Sequence, residues 1–285
     1  SQAQRTQARE IYQRVIAFNT SVEGAQTPAM AEYLAGLFRG AGFAAEDVHV
    51  LPLNGTAGLV VRYRGNGSGG RPILLLAHMD VVPALRSDWE RDPFTLVEEN
   101  NFFFGRGTID NKGGIVQLTS TFLTLRAEGF VPTRDLIIWF SGDEETTGAT
   151  TEALLAQHRD LLGNAEFALN SDAGGGQLDT NNRGIAYVVQ TAEKTYASFT
   201  FTARNPGGHS SQPREDNAIY DLGDALARLR AFQFPVMWND TTIESFRNAA
   251  SVFPGPEGAA LRRFRDLQGV EPIRIADGRT LKELE

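Results

Sequence analysis

Apolar runs and amphipathic stretches alternate along the first two thirds of the chain. Strands are predicted over 57–63, 73–77, 136–140 and 167–169, and helices over 4–19, 28–39, 111–127 and 149–161. The last three strands are apolar without alternation, which is typical of strands buried on both faces of a sheet. Thr27 is predicted as the N-cap of its helix, with Pro28 at the first helical position. Strands that alternate with helices predict an α/β fold, with a largely parallel central sheet flanked by helices.

The pattern changes at about residue 195, where a second, smaller α+β unit is predicted. Residues 198–203 have the alternation of an amphipathic strand, and residues 217–232 have the spacing of a helix with one apolar face. The tail from Gly255 onward predicts no element. We therefore divide the chain into two domains, 1–193 and 194–285.

Composition narrows the chemistry that the chain can perform. Its 285 residues include 27 Lys and Arg, 35 Asp and Glu, four histidines and no cysteine, and the formal charge is −8. Without cysteine there is no disulfide or thiol nucleophile, so a metal site has to be built mainly from carboxylates. The acidic balance argues against a nucleic-acid partner, and no apolar run reaches the ~18 residues that span a bilayer. The lack of cysteine slightly favours a secreted or periplasmic location over a cytoplasmic one.

Acidic residues and one histidine follow the predicted buried strands or, for Asp110, begin a helix. They are, in chain order, His78, Asp80, Asp110, Asp143, Glu144, Glu145 and Asp172. Because ligands of open α/β sheets bind outside the carboxyl ends of the strands, these side chains are expected along one rim. So many like charges repel one another unless a multivalent cation lies among them. Oxygen and imidazole ligands suit zinc, manganese or cobalt.

Each of these residues also has an ordinary structural explanation when it is taken alone. A histidine at a strand end is commonly just hydrogen bonded, Asp80 suits the cap of a turn, and Asp110 suits an N-cap. Residues 143–145 suit a solvated acidic loop before a helix, and Asp172 suits the start of a turn. Their coincidence at successive strand ends is what favours a metal centre.

Four ordered runs carry a family resemblance. The runs are LLAHMDVVP (75–83), GRGTIDNKGG (105–114), SGDEE (141–145) and GGHSSQP (207–213). They resemble the dizinc carboxypeptidase/aminoacylase metallopeptidase superfamily, which includes glutamate carboxypeptidase and carboxypeptidase S with its Gly-Xaa carboxypeptidase relatives. The resemblance implies a catalytic domain at 1–193. At 194–285 it implies a ferredoxin-like lid through which homodimers can form.

The resemblance also implies a role for each residue of the cluster. His78 and Asp172 would hold one zinc ion, Glu145 would hold a second, and Asp110 would bridge the two. Cobalt or manganese could take the place of zinc. Asp80 would orient the His78 imidazole from behind.

The remaining implied roles concern the reaction itself. Glu144 would be the general base that moves a proton from water to the leaving amine, and Asp143 would be a helper or a bystander. In the lid, His209 would steady the oxyanion, and Asn217 would lie near the substrate.

One ligand of the family pattern has no counterpart in this sequence. The last zinc ligand of the family is a histidine near the C-terminus, and this chain has no histidine after His209. We therefore expect the second catalytic segment to be lacking and the lid to be incomplete. We also expect the chain to bind one ion well, through His78, Asp110 and Asp172, and a second ion weakly.

Three functions follow from these considerations. The first is a metal-dependent hydrolase of peptide or amide bonds adjacent to a free carboxylate, of the carboxypeptidase or dipeptidase type, acting on small peptides. The second is a deacylase of N-acyl amino acids, with the same site and a different pocket. The third is a truncated fragment that binds without catalysis. A nucleotide-binding protein is disfavoured, because the sequence has no phosphate loop and no Gly-x-Gly-x-x-Gly run.

Overall fold

The computed structural model describes residues 1–266 apart from 194, 210, 213, 236 and 254. The chain divides into two compact units after Gly174, and each unit is described by itself. The functional division into 1–193 and 194–285 stays a prediction. None of the helices in the described part is both long and apolar enough to cross a membrane.

The first unit contains every helix and strand predicted for it. The helices are α1 (Gln2–Ala17), α2 (Thr27–Gly40), α3 (Lys112–Ala127) and α4 (Ala149–Gln157). The strands are β1 (Val48–Leu53), β2 (Thr56–Tyr63), β3 (Ile73–His78), β4 (Val97–Glu99), β5 (Phe102–Phe104), β6 (Leu136–Ser141) and β7 (Phe167–Asn170). Two details of the prediction are wrong. The N-cap of α2 is Gln26 rather than Thr27, and the helix predicted over 149–161 ends at Gln157 before a short 3-10 turn.

The central sheet is mixed, with the strand order β1-β2-β6-β3-β7. Strand β3 is parallel to both β6 and β7, whereas β2 is antiparallel to both β1 and β6. Direct parallel pairing therefore occurs among β3, β6 and β7, and β2 is the strand of this sheet that runs opposite to the other four. The reason is a hairpin at Asn54-Gly55, whose positive φ angles of 46° and 88° form a tight reversal between β1 and β2.

Helices cover both faces of the sheet. Alternate side chains of β2 and β6 point into two different cores. Leu59 and Ile138 belong to the larger core, which α1, α2 and α3 complete. Val60 and Trp139 belong to a smaller core with Leu154 of α4. Because both faces are covered, these strands have no polar alternation in sequence.

Strand β7 differs from the prediction of a third buried strand. It is the edge of the sheet, and among the described residues it pairs only with β3. Phe167 is 46% exposed and Leu169 is 54% exposed. The apolar run correctly predicts a strand, but its burial depends on neighbours that the run does not specify.

The second unit contains the hairpin β8 (Gly175–Leu178) and β9 (Gly184–Val188), followed by α5 (Ala218–Ala231), α6 (Asp240–Val252) and α7 (Gly255–Asp266). Helix α5 confirms the prediction over 217–232. The strand predicted over 198–203 is wrong, because those residues have no paired partner strand in the described part of the chain. The prediction of no element after Gly255 is also wrong. Gly255 and Pro256 begin α7, and proline is tolerated in the first turn of a helix.

Candidate metal centre

The parallel strands bring the predicted site residues to one edge of the sheet. In register, His78 lies opposite Ser141 at the end of β6, and Leu76 lies opposite Asn170 at the end of β7. The residues that follow these three strands therefore emerge side by side. Because the strands run in the same direction, this edge is the carboxyl edge, where α/β proteins bind ligands.

His78 is the centre of the cluster and is 2% exposed. Its Nε2 lies 2.7 Å from Oδ1 of Asp110, 3.5 Å from Oδ2 of Asp172 and 3.9 Å from Oε2 of Glu144. Its Nδ1 faces the opposite way, 3.1 Å from the main-chain oxygen and 3.4 Å from Oδ1 of Asp80. Two acceptors at Nδ1 favour the tautomer protonated there, which leaves Nε2 as the ligand atom.

The donor set fits a divalent metal ion. One ligand atom each from His78, Asp110 and Asp172 lies within 4.8 Å of the other two. Burial lowers the pKa of His78, but the hydrogen bond and charge of Asp80, with the charges of Asp172 and Asp110, outweigh it and raise the pKa to about 9. The carboxylates thus attract positive charge to this point. Imidazole nitrogen and carboxylate oxygen are ligands that zinc accepts.

Asp80 joins the histidine to the acidic loop. Its two carboxylate oxygens accept the main-chain N–H groups of Glu144, at 3.0 Å, and Glu145, at 2.9 Å. One buried carboxylate thus holds both the imidazole and the loop that carries the two glutamates.

The two glutamates lie in an environment that disfavours their charged forms. Burial raises the pKa of Glu144, and the charges of Asp172, Asp80 and Asp110 add to the rise while His78 opposes it. Burial likewise raises the pKa of Glu145, and the negative charge of Asp110 is the next largest cause of the rise. Glu145 is not in the three-residue ligand group of the described chain, so its role as ligand of a second ion stays a prediction.

Asp143 points away from the cluster, into the protein. It is 6% exposed, and its carboxylate accepts the N–H groups of Ala149, at 2.7 Å, and Thr150, at 3.0 Å. The hydroxyl groups of Thr147 and Thr150 also donate to it. These donors surround the first turn of α4, where a negative charge is favoured. The explanation of 143–145 as one solvated loop is therefore wrong for Asp143.

The start of α3 differs from the interpretation of Asp110 as a helix cap. The N-cap position is Asn111, which makes no side-chain cap bond, and the Asp110 carboxylate instead faces His78. Lys112 is 0% exposed, and its Nζ donates to the main-chain oxygen of Phe18, 2.7 Å away. Burial lowers the pKa of Lys112 to about 7. No role was predicted for Lys112, because no local pattern in the sequence marks a lysine as buried.

Two further predicted residues belong to the second unit. His209 is exposed, with Nδ1 2.8 Å from Oγ of Ser211. Asn217 is the N-cap of α5, and its side chain accepts the N–H of Ile219. This capping explains Asn217 locally, while the catalytic role of His209 stays a prediction.

An α/β sheet with an imidazole and several carboxylates at its carboxyl edge offers the donors that a divalent metal ion binds. Residues 74–277 match the model of Peptidase family M20/M25/M40. The chain belongs to this family of peptidases and amidohydrolases.

The relatives of this chain include both peptidases and amidohydrolases. The chain is 31% identical over 199 residues to N-fatty-acyl-amino acid synthase/hydrolase PM20D1 of Homo sapiens, which covers 68% of this chain and 39% of that protein. It is 34% identical over 179 residues to the probable carboxypeptidase S-like 2 of Dictyostelium discoideum, covering 60% and 34%. The chain thus spans less than half the length of these relatives.

Solved structures share the fold. The dipeptidase Dug1p of Saccharomyces cerevisiae superposes with a TM-score of 0.54 at 18% identity, covering 62% of this chain and 40% of that one. Human carnosine dipeptidase 1 superposes with a TM-score of 0.52 at 20% identity, covering 61% and 42%. At these identities the likeness supports the fold alone.

Proposed function

We propose that the chain forms the metal-binding part of a hydrolase that cleaves a peptide or amide bond adjacent to a free carboxylate, of the carboxypeptidase or dipeptidase type. The observation that carries this proposal is the convergence on His78 Nε2. The carboxylates of Asp110, Asp172 and Glu144 lie within 3.9 Å of that nitrogen. A ligand set with a further carboxylate beside it is what hydrolysis by a metal-activated water needs.

We assign the ions to this chain's residues as follows. His78, Asp110 and Asp172 would hold one zinc ion, and Asp110 with Glu145 would hold a second; cobalt and manganese suit the same donors. When bound, the ions supply an activated water and polarise the scissile carbonyl.

Glu144 is the proposed general base. Its side chain is 53% exposed beside His78, so it can reach a water and a substrate. Its raised pKa makes it a better proton acceptor near neutral pH than an ordinary carboxylate. It takes a proton from the attacking water and passes it to the leaving amine. Asp80 holds its main-chain N–H and so keeps the base beside the ligands.

Deacylation of N-acyl amino acids is the second candidate. The names of two relatives favour it, the human PM20D1 above and the acetylornithine deacetylase of Erwinia tasmaniensis, which is 29% identical over 87% of this chain and 60% of that protein. Both reactions break an amide bond next to an amino acid with a free carboxylate. The same base and ligands therefore serve either reaction, and the shape of the substrate pocket determines which substrate is cleaved.

A substrate panel tests the function. The zinc-loaded chain is assayed with dipeptides, with N-acyl amino acids and with the same compounds amidated at the C-terminus, before and after removal of metal with a chelator. We expect hydrolysis only of substrates with a free carboxylate, lost on chelation and restored by zinc. A chain that retains zinc but turns over neither class would favour the non-catalytic alternative.

Metal stoichiometry tests the ligand assignment separately. After equilibrium dialysis against zinc, elemental analysis is expected to find close to one tightly held ion per chain, because His78, Asp110 and Asp172 supply a nitrogen and two oxygens to one point. A second ion is expected to be held weakly. His78→Ala should release the tight ion, while His158→Ala, outside the cluster, should retain it. Two tightly held ions would show that the ligand count is wrong.

We also propose that 194–285 is a lid and dimerisation domain. In that role His209 donates a hydrogen bond to the developing oxyanion. Family membership of residues 74–277 and the exposed position of His209 support this proposal.

A further inference from the structure

Ser171 links the segments that carry the three proposed ligands. It stands between β7 and Asp172, and both its main-chain nitrogen and its Oγ lie 3.0 Å from the main-chain oxygen of Leu76. Leu76 is in β3, two residues before His78. Oγ of Ser171 also lies 3.3 Å from the amide oxygen Oδ1 of Asn111, which follows Asp110.

The protons in this group can be assigned by counting donors and acceptors. Ser171 Oγ has one proton, and the nearer acceptor is the main-chain oxygen of Leu76. Asn111 is 0% exposed, and its Nδ2 has no hydrogen-bond partner in the described structure. Turning the amide so that Nδ2 faces Ser171 pairs this buried donor. The bonds then run in one line, from Asn111 to Ser171 to Leu76.

Gly114 makes the close approach possible. A Cβ at this position of α3 would lie 2.1 Å from Ser171 Oγ and 2.2 Å from Oδ1 of Asn111. A glycine inside a helix is less favourable than an alanine. The contact between Ser171 and Asn111 supplies the reason for a glycine here.

We propose that Ser171 is a positioning residue for the metal centre, which holds Asp172 at a fixed distance from Asp110 and His78. The carboxylates of Asp110 and Asp172 repel each other when no cation lies between them. The hydrogen bonds that join Asn111, Ser171 and Leu76 oppose that repulsion and hold the three proposed ligands together. This inference rests on the proposed metal centre.

Zinc affinity tests the proposal without any assay of activity. The chain and Ser171→Ala are titrated with zinc in competition with a chromophoric chelator. The affinity is expected to fall by about 10-fold or more, as it does when groups that orient metal ligands are removed. The melting temperature of the metal-free chain is expected to change little, since the Ser171 N–H still bonds Leu76. Ser120→Ala removes a hydroxyl that bonds Val116 within α3 and should leave zinc affinity unchanged.

A double-mutant cycle separates positioning from a general effect on the fold. In the Asp172→Ala background, Ser171→Ala is expected to cause no further loss of affinity, because the ligand that it positions is gone. An equal loss in both backgrounds would overturn the proposal, and so would an unchanged affinity of Ser171→Ala. If the wild-type chain bound no zinc, the metal centre itself would be overturned, and this proposal with it.

Discussion

Glu144→Gln is expected to lower turnover by a factor of about 10² to 10⁴, the usual contribution of a general base, while the tight zinc ion stays bound. Glutamine has nearly the same size as glutamate but cannot accept the proton. The main-chain N–H of residue 144 still bonds Asp80, so the loop should retain its place. The measurements are kcat on the best substrate of the panel and zinc content by elemental analysis.

Two control variants make the Glu144 result specific. Glu152→Gln, on the exposed surface of α4, should retain full turnover. Glu145→Gln should instead weaken the binding of the second ion and leave the binding of the tight ion unchanged. Turnover that survives in Glu144→Gln would remove this residue from the role of base, and loss of the tight zinc ion would make it a ligand instead.

Asp143→Asn is expected to destabilise the fold by about 2 kcal/mol, the order of a hydrogen bond to a charged group. Each carboxylate oxygen accepts two hydrogen bonds from residues 147–150. Asparagine replaces one oxygen by an NH₂ group, which then faces donors in a buried place. Because the same loop carries Glu144 and Glu145, turnover should fall with stability. Urea unfolding at pH 7 measures the effect.

The pH dependence of the Asp143 contribution has a definite sign. Burial raises the pKa of Asp143, but the hydrogen bonds from Thr147, Thr150 and Ala149 outweigh it and lower the pKa below its ordinary value. A carboxyl whose pKa is lowered on folding stabilises the fold above its unfolded-state pKa of about 3.9. The contribution is lost as the pH falls through the lowered folded-state value.

Unfolding is therefore compared between the wild type and Asp143→Asn from pH 7 down to pH 3. The difference in unfolding free energy should be constant at the upper end and shrink below about pH 4. Asp160→Asn, an exposed aspartate, should show no difference at pH 7. A variant as stable as the wild type at neutral pH would contradict the assignment of Asp143 as a structural carboxylate.

The four helices and four of the seven strands of the first unit could be predicted because their signals are local. Apolar runs mark β3 and β6, helical spacing marks α1, and a proline at the first helical position marks α2. The strands β1, β4 and β5 and the reversed direction of β2 were not predicted, although Asn54-Gly55 is a known hairpin signal. In the second unit, the alternation of polar and apolar residues over 198–203 predicts a strand that is absent. Such alternation favours an extended conformation, but a strand also needs a neighbouring strand with which to pair.

The residues of the candidate site likewise fall into those that the sequence predicts and those that only the structure identifies. The sequence singles out His78, Asp110 and Asp172 because a histidine and acidic residues follow the buried strands or begin a helix, and the structure places these three together. Asn111, Ser171 and Lys112 have no such signal. Their importance comes from hydrogen bonds to residues 60 or more positions away or, for Asn111 and Lys112, from complete burial.

By itself the sequence determined the family and the chemical types at the site, because both depend on which residues follow each strand. Only the tertiary structure decided which of three consecutive acids would face inward. Asp143, Glu144 and Glu145 have the same charge and adjacent positions, yet only Asp143 meets the first turn of α4. Burial and hydrogen-bond partners are set by the packing of distant segments. For that reason the sequence predicts a cluster of carboxylates, and the fold assigns each one its place.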